Sequence, residues 1–243
     1  MPELLDPTLA FACALVALAA VVRGFSGFGS AMIVMPGLSL IYPPVEALIV
    51  FALIETATTL QLLPQGLRDA DRRRVLPLAL GATLCLPLGW QVIVAVEPET
   101  MRRAIGAVVL LLVALLALGW RYRGALGRGR IFAVGCASGL LAGSTGMAGP
   151  PVILMLMSTP GSAAQVRGSL ILFFAWIGLV LLAIFALDGR FDQAALLRAA
   201  VLLPFYLAGT WAGMRLFRRS GERHFRWAAL VILAAVGLAA LVA

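Results

Sequence analysis

The chain has 243 residues, of which 62% are hydrophobic and only 12% are charged. A soluble domain carries about twice that share of charged residues, so the composition excludes an ordinary soluble protein and indicates a membrane protein. All 19 basic residues are arginines and the formal net charge is +8, but the arginines cluster between apolar segments. That placement fits membrane anchoring and argues against nucleic-acid binding.

Ten apolar segments follow one another along the chain. Several have the length of about 17 to 25 residues at which a helix can cross a bilayer. The first segment follows an acidic N-terminus that lacks the basic region of a signal peptide, so we expect it to be part of the mature protein. We therefore predict an all-α, multi-pass protein of the cell inner membrane. The segments lie at 8–23, 29–42, 45–64, 75–96, 101–120, 131–142, 149–158, 166–187, 194–217 and 225–243.

Two of the gaps between segments are rich in glycine and carry no charge. They are residues 24–30, with the sequence GFSGFGS, and residues 143–149, with the sequence GSTGMAG. Because neither gap is hydrophilic, we expect both to be breaks in the helical backbone within the membrane, which require a surrounding of protein or a water-filled cavity. Pro150 and Pro151 follow the second gap, and proline suits the first turn of a new helix.

The two gaps align with each other, which predicts an internal duplication with repeats at 1–120 and 121–243. A chance match between glycine-rich apolar sequences is the alternative. The first offset is 119 residues and the second, further along, is 121. The offset of 119 pairs Gly24 with Gly143, Ser26 with Thr145, Gly27 with Gly146 and Glu46 with Gln165, and the offset of 121 pairs Trp90 with Trp211 and Arg102 with Arg223.

The distribution of arginines distinguishes two topologies. If each glycine-rich gap is a kink in one crossing, the chain crosses eight times and the two faces hold ten and eight arginines. If each gap is the tip of a re-entrant hairpin, the faces hold fourteen and four, with Arg23 at a tip. The positive-inside rule favours the hairpins. Each repeat is then one hairpin plus three transmembrane helices, the two repeats are inverted, and both termini are periplasmic, an architecture typical of secondary transporters.

The hairpin tips are the candidate binding site. In this topology both tips approach the middle of the membrane, where the N-terminal ends of two helices would present N–H groups and positive dipoles to an anion in a shared cavity. The glycines could instead serve close helix packing, and Arg23 could extend to the interface. The predicted substrate-binding residues are Arg23, Ser26, Gly27, Gly29, Ser30, Ser144, Thr145, Gly146 and Gly149.

Glu55 lies in the middle of an apolar segment, near Thr58 and Thr59. An ionisable side chain at that depth indicates a functional site. Glu55 is therefore the candidate for proton coupling, and a structural pair with Arg23 is the alternative.

No enzyme, cofactor or metal signature is evident. Cys13, Cys85 and Cys136 lie singly in apolar segments, and the one histidine, His224, lies in an arginine-rich loop. Neither a metal-ligand spacing nor a nucleotide-binding loop occurs. We expect no cofactor, no bound metal and no catalytic residue.

At its two tips the sequence resembles the sulfite exporter TauE/SafE family, also called the toluene-sulfonate uptake permease family. The segments 24–36 (GFSGFGSAMIVMP) and 143–151 (GSTGMAGPP) carry the resemblance. The second tip has Ala148 where the family commonly has a further glycine. The resemblance implies transport of sulfite, sulfonates or related organic anions. The matching glycines and prolines are Gly24, Gly27, Gly29, Gly146, Gly149, Pro36, Pro150 and Pro151.

These observations predict a secondary transporter that carries a small anion by alternating access, driven by protons or by the membrane potential. The partners expected are the anionic substrate and the lipid bilayer, without nucleic acid, and a homo-oligomer is compatible with the sequence. A passive anion channel and a non-transporting membrane assembly protein are the alternatives from other classes.

Overall fold

All the regular structure in the described part of the chain is helical. The computed structural model describes residues 7–26, 29–118, 127–159, 161–217 and 238–240. The all-α prediction is therefore confirmed for these ranges. The helices are α1 (Pro7–Ser26), α2 (Ser30–Ser39), α3 (Pro44–Asp69), α4 (Arg72–Ala95), α5 (Pro98–Ala117), α6 (Arg128–Thr145), α7 (Gly149–Leu156), α8 (Ala163–Leu187) and α9 (Gln193–Phe217).

Nine of the ten predicted segments coincide with these helices, and the tenth, 225–243, lies outside the described residues apart from 238–240. Within the described ranges, four helices are long and apolar enough to cross a membrane, and α1 and α2 contain shorter apolar stretches at Thr8–Gly24 and Ser30–Ser39. The polytopic character is thus supported by length and composition. The four long spans are Pro44–Asp69, Arg72–Ala95, Ala164–Leu187 and Gln193–Leu216.

The chain forms two compact units, and each contains segments from both halves of the sequence. Unit 1 comprises Met1–Ile54, Glu97–Leu118 and Gln193–Ala243, and unit 2 comprises Glu55–Val96 and Gly119–Asp192. Compactness is a different criterion from duplication, so the repeats at 1–120 and 121–243 stay a prediction.

In unit 1, α1 and α9 pack side by side in the same direction. Gly209 lies against Ala17, and Gly213 lies one turn further along against Val21. A β-carbon added to Gly213 would overlap the carbonyl oxygen of Val21. Small residues that permit backbone contact are the usual basis of helix association in membranes.

In unit 2, α4 and α6 form a second parallel pair through the same kind of contact. Gly135 and Gly139, one turn apart on α6, lie against Leu78 and Ala82 of α4. A β-carbon on either glycine would overlap a carbonyl oxygen of α4. Glycine is therefore required by the distance between the two backbones.

Each of the two parallel helix pairs has contacts at positions equivalent to those in the other pair. Gly24 lies against Thr210 in unit 1, and Gly143 lies against Leu86 in unit 2. Gly24 and Gly143 are 119 residues apart, the predicted offset, whereas Leu86 and Thr210 are 124 residues apart. A duplication would leave equivalent contacts of this kind. The change of offset from 119 to 124 corresponds to five more residues between α8 and α9 than between α3 and α4.

A second pair of contacts gives the same offsets. Gly213 lies against Val21, and Gly89 lies against Leu140. Each residue of α4 therefore corresponds in packing to the residue of α9 that lies 124 positions later. The expected offset of 121 is wrong for these helices. Trp90, which that offset paired with Trp211, corresponds in packing to Met214.

The α1–α2 segment is a helical hairpin. A β-carbon on Gly37 would overlap the side chain of Leu15, and one on Gly29 would lie 3.8 Å from Cγ1 of Val22. In one continuous helix, positions 15 and 37 would be separated by about 33 Å at 1.5 Å per residue. The chain therefore turns back at the first glycine-rich gap instead of continuing through a kink.

The second arms of the two predicted hairpins end alike. Ser39 donates its hydroxyl to the carbonyl of Met35 at 2.6 Å, and Ser158 donates to the carbonyl of Leu154 at 2.7 Å. Both serines fit the offset of 119. In unit 2 this arm, α7, packs against α6 and α8.

An arginine from another helix, α9 in unit 1 and α4 in unit 2, contacts the region where each second arm connects to the helix that follows it. In unit 1, Arg198 of α9 forms an ion pair with Glu46 of α3, and its guanidinium carbon lies 4.6 Å from the ring centroid of Tyr42. In unit 2, the equivalent Arg74 of α4 donates to Oγ1 of Thr159 at 2.9 Å. Arg74 and Gln165 both flank Gly161. The predicted pairing of Glu46 with Gln165 thus corresponds to equivalent positions. The acidic partner differs, because Arg198 pairs with Glu46 of α3 whereas Arg74 pairs with Asp71, three residues before it.

Trp90 and Trp211 differ in environment. Trp90 is buried, lies against Phe185 and donates its indole N–H to Asp188 at 3.3 Å. Trp211 is 53% exposed, with the guanidinium of Arg215 over its ring. Asp188 follows α8, and the hydrogen bond from Arg190, with a smaller contribution from Trp90, holds the pKa of Asp188 below its usual range. Trp90 is therefore a packing residue of unit 2.

Replacing Gly139 tests the α4–α6 contact. We expect Gly139→Ala to lower the free energy of unfolding by about 1–3 kcal/mol, because the added methyl group must push the two backbones apart. Gly129→Ala on the same helix is the control, since no atom lies within 4 Å of its β-carbon position. Denaturation in detergent measures both. Equal stability of the two variants would contradict the packing.

Replacing Glu46 tests the arginine contact in unit 1. Glu46→Leu should lower the free energy of unfolding by about 1.5–3 kcal/mol, because the half-buried Arg198 loses a charged acceptor. Glu46→Gln should lower it less, since the amide oxygen of glutamine can still accept a hydrogen bond from Arg198. Glu99→Gln is the control, because the Glu99–Arg103 pair is exposed and such pairs contribute little. Similar effects of Glu46→Leu and Glu99→Gln would contradict a stabilising role for the Arg198 contact.

Candidate functional site

The first tip connects two helices through a left-handed residue. Helix α1 ends at Ser26 and α2 begins at Ser30, and Gly29 between them has φ 94° and ψ −7°. Any other residue would be strained at that φ. Gly27 and the side chain of Ser26, both predicted site residues, lie outside the described residues.

The structure places a buried positive charge beside the first tip. Arg23 is only 6% exposed and Ser30 is 2% exposed, and Tyr206 of α9 is fully buried. Ser30 and Tyr206 form a side-chain hydrogen bond, and Arg23 is close enough to interact electrostatically with the phenol. An arginine in these surroundings is costly and marks a functional site by default. The predicted extension of Arg23 to an interface does not agree with its burial.

Sequence analysis missed Tyr206. Its segment, 194–217, contains one tyrosine in an otherwise apolar stretch, two residues after Pro204. That was the available signal, because a buried tyrosine hydroxyl usually has a hydrogen-bond partner. Its contact with Ser30 joins residues that are 176 positions apart, and no spacing rule predicts such a contact.

The second tip uses its glycine differently. Gly146, at φ 74°, caps the end of α6, whereas Ala148 has an ordinary helical φ of −66° in front of α7. The departure from the family's glycine at Ala148 is therefore accommodated without strain. Gly149 begins α7, but the two prolines that follow have no N–H groups. This helix end consequently offers fewer backbone donors than the sequence argument assumed.

The hydroxyls predicted at the second tip are engaged within their own helix. Ser144 donates to the carbonyl of Leu140 at 2.8 Å, and Thr145 donates to that of Leu141 at 2.9 Å. Both side chains are buried. To donate to an anion, either hydroxyl would have to rotate away from its carbonyl.

Glu55 is half-buried in the middle of α3, where Glu55 belongs to unit 2 and Arg23 belongs to unit 1. The adjacent Thr56 is buried against Gly178 of α8. Within the part of the chain that the structure describes, Oγ1 of Thr56 has no hydrogen-bond partner. This stretch of α3 is therefore unusually polar for a helix interior in lipid.

Across the described residues, no group of three or more histidine, cysteine, aspartate or glutamate side chains could hold a metal ion. Two of the cysteines, Cys85 of α4 and Cys136 of α6, are in side-chain contact. The parallel packing of those helices accounts for that contact.

Comparison with known proteins identifies the family of the chain. The sequence matches the family described as "Sulfite exporter TauE/SafE" over residues 12–240. A relative named "Probable sulfite/organosulfonate exporter TauE", from Cupriavidus necator, is 31% identical over 199 residues, which cover 78% of this chain and 77% of the relative. No solved structure matches the chain. The resemblance noted in the sequence is confirmed: this chain is a member of the sulfite exporter TauE/SafE family.

Proposed function

We propose that this protein is a secondary transporter that carries sulfite or small organosulfonates across the inner membrane. The relative from Cupriavidus necator is named for sulfite and organosulfonate export. A family of exporters agrees with the expectation of a transporter rather than an enzyme. The observation that carries the proposal is the buried Arg23 beside the first hairpin tip, because a fixed positive charge shielded from water suits a small anion.

We infer that both glycine tips carry substrate-binding groups. At the first tip these groups are Arg23, Ser30 and the backbone around Gly29. The second tip would contribute mainly the backbone N–H groups of Ala148 and Gly149, since prolines follow them. Left-handed glycines at both tips, Gly29 and Gly146, support this reading because a residue without a side chain permits close approach to the main chain.

The fold proposed for this function is an inverted repeat of two re-entrant hairpins and six crossings. The return of α2 along α1 supports the first hairpin. The contacts at the shared offsets of 119 and 124 support the duplication. The asymmetry of arginines, fourteen against four, supports periplasmic termini.

Labelling of single cysteines tests this topology in a background without Cys13, Cys85 and Cys136. The positions are Pro43, Gly129 and Gly189, which are all exposed. With hairpins, we expect a membrane-impermeant maleimide added outside to label Pro43→Cys and Gly189→Cys but not Gly129→Cys.

The alternative topology gives a different grouping. With kinked continuous crossings, positions 129 and 189 would share one face and position 43 would lie on the other. Permeabilised cells, in which all three must react, provide the control for reactivity.

Flux measurements test transport itself. In proteoliposomes we expect saturable uptake of radiolabelled sulfite that is accelerated by unlabelled sulfite inside. A carrier gives this counterflow because its site reorients with substrate bound, whereas a passive channel does not. Flux without acceleration would favour a channel, and no flux with sulfite or a simple sulfonate would contradict the proposal.

The contribution of the second tip is tested with two glycines of the same conformation. Gly146→Ala and Gly189→Ala each place a side chain at positive φ, 74° and 64° respectively, which costs about 1–2 kcal/mol. We expect similar losses of stability, with counterflow reduced at least several-fold only in Gly146→Ala, because Gly189 lies in an exposed loop. Equal flux in the two variants would remove the second tip from the site.

Glu55 remains our candidate for proton coupling. Glu55→Gln keeps the size of the side chain but cannot ionise. A proton-coupled carrier should then keep counterflow and lose uptake driven by a pH gradient, whereas unchanged gradient-driven uptake would leave the membrane potential as the driving force.

A further inference from the structure

In unit 2, exposed arginines surround the point where α4 and α8 begin. The backbone N–H of Asp71, just before α4, donates to Oγ of Ser169 in α8 at 3.0 Å. A β-carbon on Gly168 would lie 2.8 Å from Cβ of Asp69, the last residue of α3. The end of α3 and the starts of α4 and α8 therefore lie together. Their exposed arginines are Arg68, Arg72, Arg73 and Arg167.

The acidic residues of this region do not balance its positive charge. Residues 68–74 together with Arg167 contain five arginines and two aspartates, which leaves a net charge of +3. One of the aspartates, Asp71, forms an ion pair with the half-buried Arg74 at 3.2 Å. A positive surface at the ends of membrane-crossing helices lies at the level of the lipid headgroups, where it attracts anionic lipids.

An apolar stripe on α4 continues from these arginines. It consists of Leu76, Leu80, Leu84 and Leu88, each more than half exposed. These leucines lie 3, 7, 11 and 15 residues after Arg73, a spacing that places all of them on the same face of the helix as Arg73. The stripe is about 18 Å long at 1.5 Å per residue. One leaflet of a hydrocarbon core of about 30 Å is of similar thickness.

Helix α8 adds an aromatic side chain beside the stripe. Trp176 is 47% exposed and donates its indole N–H to Oγ1 of Thr83 at 2.8 Å. Thr83 lies between Leu80 and Leu84 in the sequence of α4. Because α4 and α8 also touch at Asp71 and Ser169, the two helices run side by side in the same direction from the arginines.

We propose that this surface of unit 2 binds an anionic phospholipid, whose phosphate contacts Arg72 and Arg73 and whose acyl chain lies along the leucine stripe beside Trp176. Nη2 of Arg72 donates to the carbonyl of Leu67 at 3.1 Å, which positions the exposed guanidinium, and arginine has further N–H donors for a phosphate. A lipid approaches from the bilayer, so the site requires no cavity.

The stripe favours a lipid over a free anion as the ligand. Inorganic phosphate would contact the arginines alone, whereas a phospholipid also covers the exposed leucines that follow them. The charge of the surface in turn favours a lipid with a net negative headgroup over a zwitterionic one. The inference is independent of which anion the protein transports.

Quenching of tryptophan fluorescence by brominated lipids tests the proposal, because bromine quenches only nearby indoles. The full-length protein in detergent is titrated with phosphatidylglycerol or phosphatidylcholine, each brominated in the middle of its acyl chains. The quenching of the wild type minus that of Trp176→Phe gives the signal of Trp176. We expect its midpoint to lie at a concentration of phosphatidylglycerol about tenfold or more below that of phosphatidylcholine, since each arginine contributes about fivefold in affinity.

Variants that remove one charge locate the headgroup. Arg73→Gln should raise the midpoint for phosphatidylglycerol about fivefold and leave that for phosphatidylcholine unchanged, whereas Arg73→Lys should change both less than about twofold. Arg103→Gln is the matched control, because Arg103 is also exposed but lies in unit 1 and pairs with Glu99. Its midpoints should equal those of the wild type. If Arg73→Gln cannot be purified, Arg72→Gln provides the same test.

Three results would overturn the inference. The first is equal midpoints for the two lipids in the wild type, and the second is equal midpoints for phosphatidylglycerol in Arg73→Gln and Arg103→Gln. The third is displacement of phosphatidylglycerol by an equal concentration of inorganic phosphate, which would show that the arginines bind a free anion. Sulfite counterflow is measured separately, so its absence would contradict the proposed transport and leave the lipid site standing.

Discussion

The close approach of parallel helices is the constraint on which the rest of the structure depends. Lipid is as apolar as leucine, so the association of helices in a membrane depends on packing and on hydrogen bonds. In unit 1, Gly213 permits the backbone of α9 to touch that of α1, and in unit 2, Gly139 does the same for α6 and α4. These contacts hold the first arm of each glycine-rich segment, and through it the tip, against a long helix.

At the tips, the backbone turns in surroundings without bulk water. Among the described residues, the left-handed glycines of the tips lie at different places, Gly29 before α2 and Gly146 after α6. Each second arm then ends in a serine whose hydroxyl returns to the carbonyl four residues earlier. At the first tip, irregular backbone lies beside a buried charge, Arg23. The proposed anion site requires this combination.

Similarity and divergence between the two units are equally informative. Arg198 and Arg74 occupy equivalent positions, but the first pairs with Glu46 of α3 and the second with Asp71, three residues before it. The tips differ as well. The first tip has the buried side-chain donors Arg23 and Ser30, whereas at the second tip Pro150 and Pro151 reduce the number of backbone N–H donors. If the chain arose by duplication, its two halves retained the same helix packing and diverged in their polar and charged side chains.

The sequence by itself determined the helical class, nine segments close to their observed bounds, the positions of both tips and the family. Apolar length and glycine content are local properties, and a helix satisfies its backbone hydrogen bonds within one segment. The offset of 121 and the omission of Tyr206 show where local patterns fail. The correspondence between α4 and α9 follows from the contacts that each helix makes within its own unit. The hydrogen bond of Tyr206 with Ser30 and the pairing of Arg198 with Glu46 join residues far apart in the chain. Only the tertiary structure decided them, because they depend on which helices touch and at what depth.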